Sequence, residues 1–248
     1  MTLDLREPVS ALSHGAGMFL ALPVTWILWQ RCGGSSGDQA KRLSLLIFGI
    51  SLAACYGASA VYHGAPVQGE ALGQLRRLDH VGIYLLIAGT YTPGASVLMS
   101  GSMRRGTLLA VWSVAAVCSA RVWLGGVLPI WISTAIYLGM GWGVLFCYRD
   151  LARNHGHRRL MALPLGGAFY SIGAVLNLLH MPVLVPGTFG SHELFHFFVL
   201  AGTACHIWFM RYVVIPTVPA VGWGAAWTVV PAPISRALDL TPDANGMA

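Results

Sequence analysis

His192 and His196, in the stretch His-Glu-Leu-Phe-His, stand one helical turn apart just inside an apolar run that continues through Phe209. A helix advances about 100° per residue, so positions i and i+4 share a face about 6 Å apart along the axis, and two imidazoles there can reach one metal ion. Histidine is costly in hydrocarbon and is seldom placed there without a task. Zinc takes nitrogen, sulfur and carboxylate ligands in a tetrahedron, and a catalytic site keeps three protein ligands with water in the fourth place. A third ligand must therefore come from another helix at similar depth. His63 is the leading candidate: it closes the run Ser59-Ala-Val-Tyr-His63, whose i,i+4 spacing puts Ser59 on the same face. Asp79 offers a carboxylate near the same level, either as a fourth ligand or as a base for an activated water. Ser59 would orient that water or Asp79. Three neutral histidines with a water suit a hydrolase and a structural site equally.

The elements that must position these residues follow from composition. The chain of 248 residues is 56% hydrophobic and 10% charged, with a mean hydropathy of +0.65, whereas soluble domains carry about 25% charged residues. A polytopic all-α membrane protein is expected, a single integral membrane domain over 1–248. Apolar runs bounded by charge or Gly/Pro clusters predict seven spans, at about 11–30, 43–63, 80–99, 107–124, 127–148, 160–180 and 192–214. Gly125 and Gly126 allow a tight turn between the fourth and fifth. The tail from 215 carries Pro216, Pro219, Pro231 and Pro233, which argues against an eighth span, while Trp223 and Trp227 suit an interfacial segment. The start, with Asp4, Arg6 and Glu7, does not read as a cleaved signal peptide. The five cysteines lack Cys-x-x-Cys spacing and read as packing residues.

Alternating span direction brings His14, Ser59, His63, Asp79, His80, Asn177, His180, His192, Glu193 and His196 to one membrane face. His206, ten residues beyond His196, falls at the opposite depth and outside the site. Taken singly, His14, His80, His180 and His206 read as interfacial or hydrogen-bonded residues, and Glu193 as a helix-start carboxylate favoured by the macrodipole. Arginine and lysine sort the other way: Arg6, Arg76, Arg77 and Arg121 lie on the histidine side, and Arg31, Lys41, Arg42, Arg104, Arg105, Arg149, Arg153, Arg158, Arg159, Arg211 and Arg236 on the other. The positive-inside rule then puts the amino terminus outside and the carboxyl terminus in the cytoplasm. Basic loops on anionic lipid account for the pI of about 9.3 without a nucleic-acid partner.

His192-Glu193-Leu194-Phe195-His196 also matches H-E-x-x-H, the metalloprotease pattern in which glutamate is the base. Leu78-Asp79 weakly resembles the distant Leu-Asp-Gly ligand of intramembrane site-2 proteases, with His80 in place of the glycine. A longer resemblance spans the chain. Ser59-Ala-Val-Tyr-His63, Arg77-Leu-Asp79-His80-Val-Gly-Ile-Tyr84 running into Ile87-Ala-Gly-Thr-Tyr-Thr-Pro93, Phe189-Gly-Ser-His192-Glu-Leu-Phe-His196 and Leu200-Ala-Gly-Thr-Ala-Cys-His206 together resemble the hemolysin III family. Ser10-Ala-Leu-Ser-His14-Gly-Ala-Gly17 resembles its opening block. That family is the bacterial branch of the progestin and adipoQ receptor superfamily, related to alkaline ceramidases.

The resemblance implies a seven-helix bundle with one zinc between helices 2, 3 and 7. It puts the metal histidines on His63, His192 and His196, the water-holding aspartate on Asp79 and its neighbouring serine on Ser59. It demotes Glu193, because receptor members often carry an amide there. The expectation is a zinc-dependent hydrolase of a membrane-lipid amide or ester in a bacterial inner membrane. The alternatives are a non-enzymatic receptor or sensor with structural zinc, an intramembrane H-E-x-x-H metalloprotease and a pore-forming hemolysin; a pore wants a polar stripe along several spans, and here polarity gathers at one end. Adiponectin receptors place their amino terminus in the cytoplasm, opposite to the charge bias of this chain. A carboxyl-terminal green fluorescent protein fusion is therefore expected to fluoresce and an alkaline phosphatase fusion there to be inactive; the reverse pattern would invert the topology.

Overall fold

The computed structural model describes residues 5–33 and 36–218. Its elements are helices: α1 Pro8–Gln30, α2 Ser36–Gly64, α3 Gly69–Leu98, α4 Gly101–Gly125, α5 Ile130–Trp142, α6 Leu145–His155, α7 His157–Leu160, α8 Ala162–Leu179 and α9 Ser191–Phe209, which continues into a π-helical turn, Met210–Val214. They form seven stretches long and apolar enough to cross a membrane, with α5 and α6 making the fifth and α7 and α8 the sixth. The segment that carries Trp223 and Trp227 lies outside the described residues.

Several ends differ from the expected ones for identifiable reasons. The third helix begins at Gly69 rather than near residue 80, because Glu70-Ala-Leu-Gly-Gln-Leu-Arg-Arg77 is polar yet rich in helix formers and carries α3 outward for about three turns. Asp79 and His80 thus sit inside a helix, not at its start. Pro8 occupies the first turn of α1, where a missing N–H costs nothing. The fifth span runs to His155, past the expected end, and breaks at Gly143. At that break the Tyr91 hydroxyl of α3 lies 2.7 Å from the Met140 carbonyl oxygen and 2.9 Å from that of Gly141, covering acceptors that would otherwise face hydrocarbon. The fourth and fifth spans are joined by four residues, 126–129, rather than by the expected two-glycine turn, and Gly126 takes φ +81°, a conformation that favours glycine.

Helices α1, α2, α3, α5, α8 and α9 surround a central cavity, while α4 packs on the outside of α3. Small residues set how closely the helices approach. A Cβ on Gly82 would stand 2.9 Å from the Cys55 Cα of α2, and one on Gly202 would stand 2.8 Å from the Tyr170 ring of α8. The α2/α3/α9 core is built on Leu45, Phe48, Leu52, Leu98 and Phe209, and a second cluster, Tyr84, Ala88, Val111 and Ala115, joins α3 to α4. Phe19, Trp26, Leu109, Leu124 and Phe146 point outward. On a soluble protein they would be a liability, and in a bilayer they face their solvent.

The Gly82→Ala substitution is expected to cost about 1–3 kcal/mol by forcing α2 and α3 apart. Gly73→Ala, on the same helix with open space around it, should cost nothing. Thermal unfolding in detergent, read side by side for the two variants, checks this; equal melting temperatures would refute the close-packing role of Gly82.

Candidate metal centre

His63 comes from the last turn of α2 and His192 and His196 from the first turns of α9, so the site joins two helix ends 129 residues apart. His63 and His196 are buried and His192 is part-buried. The Nε2 atoms of His63 and His192 lie 3.3 Å apart, as do those of His192 and His196. The potential ligand atoms all fall within 4.8 Å of one another. Ligands about 2.05 Å from a tetrahedral zinc stand about 3.3 Å apart, so two of the three separations match an edge of that tetrahedron.

Hydrogen bonds fix which nitrogen faces inward. His63 Nδ1 donates to Glu7 Oε2 at 2.5 Å, and a carboxylate can only accept. His192 Nδ1 donates to Asn177 Oδ1 of α8 at 3.2 Å. Each neutral ring therefore turns an unprotonated Nε2 toward the other. Lone pairs facing at 3.3 Å repel, and a cation between them removes the repulsion, so the donor set suits a metal ion. His196 is held differently: its ring stacks on that of His14 at a centroid distance of 3.8 Å, and its Nδ1 has no hydrogen-bond partner among the described residues.

Asp79 enters from α3, with its carboxylate beside the buried Ser59 hydroxyl and near His63. Both line the cavity. The Glu7 carboxyl is held below the ordinary carboxylate range, chiefly by its hydrogen bond from His63. Glu193 is engaged at the start of α9. Its Oε2 accepts from the Gly190 N–H at 2.8 Å, half of a capping box, and its Oε1 accepts from Ser10 at 3.2 Å.

The remaining histidines separate by environment. His80 Nδ1 lies 3.1 Å from the Tyr137 hydroxyl of α5 on the cavity wall. His180 closes α8 in the left-handed conformation, at φ +55°. His206, placed outside the metal site by depth, lines the cavity deeper in and meets Tyr170 edge-on at 5.4 Å. Sequence reasoning missed Glu7. The signal available was a carboxylate directly before Pro8, on the histidine face, where a span begins.

The cavity holds about 560 Å³ and has the histidines, Ser59 and Asp79 at one end. Below them its walls are mainly apolar, with Ile83, Leu86, Leu138, Phe195, Val199 and Phe209. Asp79 and Leu98 of α3 both line it, and the nineteen helical steps from one to the other span about 28 Å.

Fold and site define a class: an all-α multi-pass membrane protein whose histidine triad could hold a metal. Within that class the assignment is specific. A profile of haemolysin-III related proteins matches residues 4–207. Hemolysin-3 of Bacillus cereus is 30% identical over 231 residues, covering 88% of this chain and 96% of the relative. The hemolysin-3 homolog of Bacillus subtilis (strain 168) is 32% identical over 209 residues, covering 80% and 90%. The chain belongs to the haemolysin-III related family.

The Glu193→Gln variant is expected to lose about 1 kcal/mol of thermal stability at the start of α9 and to keep its metal and any turnover of the wild type. A folded, metal-loaded variant without turnover would restore the H-E-x-x-H role to Glu193.

Proposed function

We propose that the protein is a zinc-dependent hydrolase that cleaves a lipid amide or ester reached from within the bilayer. The observation that carries the reading is the position of the three converging Nε2 atoms at the polar head of a long apolar cavity. Its volume lies in the range of sites that bury small ligands, and its length accommodates an acyl chain, which spans about half of a 30 Å hydrocarbon core. His63, His192 and His196 would hold the ion. Zinc supplies, when bound, a Lewis acid that polarises a carbonyl and lowers the pKa of water. Asp79 takes the proton from the attacking water and delivers it to the leaving amine or alcohol. Ser59, beside that carboxylate, aims it at the water. The apolar walls hold the acyl chain so that its carbonyl stops at the level of Asp79, and they keep bulk water from the lower cavity. With the arginine bias as drawn above, this chemistry takes place near the outer face of the cell membrane.

Both named relatives carry hemolysin in their names. A lytic activity of this chain would release dye from liposomes containing the purified protein, and the hydrolase reading expects no release beyond that caused by product fatty acid.

Purified wild type is expected to carry one zinc per chain and to release fatty acid from a bacterial total-lipid extract, monitored by mass spectrometry. His192→Ala should lose both zinc and release. Asp79→Asn should keep zinc and lose at least about 100-fold in rate, the lower end of general-base contributions. Zinc without lipid consumption in any fraction would make the metal structural and remove the hydrolase.

A further inference from the structure

The described residues before α1 form a clasp on the end of α2. The Glu7 N–H donates to the His63 carbonyl at 2.9 Å, and the Glu7 carboxylate accepts from the same residue's ring. Arg6 donates from Nη2 to the Tyr62 carbonyl at 2.5 Å, lies over the Tyr62 ring at 4.5 Å, and pairs through Nη1 with Glu7 Oε1 at 3.1 Å. Backbone and side chain of Glu7 thus grip one residue, His63, at both its ends. A segment that only needed to tie α1 to α2 could do so through the backbone bond and Arg6. The carboxylate adds something those contacts do not: a negative charge on the ring nitrogen opposite Nε2.

The other two histidines of the triad have no such charge behind them. Asn177 offers His192 a neutral amide oxygen, and His196 has the stacked His14 ring and the neutral Ser10 backbone beside it. The three ring supports are therefore unequal. A carboxylate behind an imidazole fixes its tautomer, restrains its rotation and makes the far nitrogen a stronger electron donor.

From this asymmetry we propose that Glu7 is the positioning residue of the metal centre, its carboxylate making His63 the strongest of the three ligands and thereby setting how tightly the ion is held. The proposal rests on the reading of the triad as a metal site. It assigns to the segment before the first span a role in the chemistry at the ends of the second and seventh. Removing the charge while keeping the shape isolates the effect: Glu7→Gln retains an acceptor oxygen for Nδ1–H and loses the charge, and Glu7→Ala loses both.

The test is zinc affinity by competition with a chromophoric chelator on full-length protein in detergent. It is paired with the absorption spectrum of the Co²⁺-loaded form and the melting temperature of the metal-free form. Loss of a residue that supports a ligand costs about 10–100-fold in metal affinity. Glu7→Gln is expected near the low end of that range and Glu7→Ala near the high end, both with a shifted Co²⁺ band. The metal-free melting temperature of Glu7→Gln should match that of the wild type. Wild-type affinity and spectrum in both variants overturn the proposal. So does a lowered melting temperature with unchanged affinity in the folded fraction, which would make the clasp purely structural. Absence of metal binding by the wild type overturns the metal site itself, an outcome distinct from failure of Glu7 alone.

Discussion

Three imidazoles that must meet at one point near a membrane surface constrain nearly everything else in this chain. Each buried ring nitrogen without a partner costs free energy comparable to a lost hydrogen bond, and the cost grows where water is scarce. The end of α2 and the start of α9 therefore have to arrive together, although 129 residues separate His63 from His192. That requirement closes the ring of helices: α9 returns beside α1, with Ser10 against Glu193 and Gly17 close under Leu200. The supports for the three rings come from three further places, the segment before α1, α1 itself and α8. The site is thus assembled by the bundle rather than by a local motif, and no single pair of helices contains it.

The cavity follows from the same closure. Where glycines let helices touch, as Gly82 does against Cys55 and Gly202 against Tyr170, the backbones approach until side chains have no room between them. Across the ring, α5 and α8 line the far side of the cavity from α2, and the fifth span breaks at Gly143. Tyr91 keeps that break from exposing bare carbonyls. The result is a long, mainly apolar space with the histidine triad, Ser59 and Asp79 at one end. Deeper in, the hydroxyls of Tyr56 and Tyr170 both meet Thr203, at 2.7 and 2.9 Å, so these three hydroxyls satisfy one another.

Much of this was legible in the chain. The spans show because hydrocarbon demands uninterrupted apolar length, and the triad shows because i,i+4 spacing and alternating span direction are strict geometric rules. The start of α3 was not legible, because hydropathy reports where hydrocarbon begins and not where the helix does. The break at Gly143 was hidden for a similar reason: the apolar run continues through it, and the bonds that tolerate it come from Tyr91, fifty residues earlier. Glu7 escaped because its partner is set by packing. A glutamate before a proline reads as a helix-start residue, and only the fold puts the end of α2 beside it.

Charge explains why three carboxylates near the site have three fates. A divalent ion on neutral imidazoles would bring two positive charges into a region of low dielectric, and such charge is tolerated only when compensated nearby. Glu7 faces the His63 ring from the segment before α1, and Asp79 stands beside the same histidine from α3. Arg6, paired with Glu7 at 3.1 Å, offsets part of that negative charge. Glu193 is instead turned to the N-terminus of α9, where it accepts from the Gly190 N–H and meets the positive end of the helix dipole. The spacing that makes Glu193 resemble a protease base is thus a by-product of a helix that begins where its histidines are needed. Asp79, beside Ser59, keeps the cavity before it.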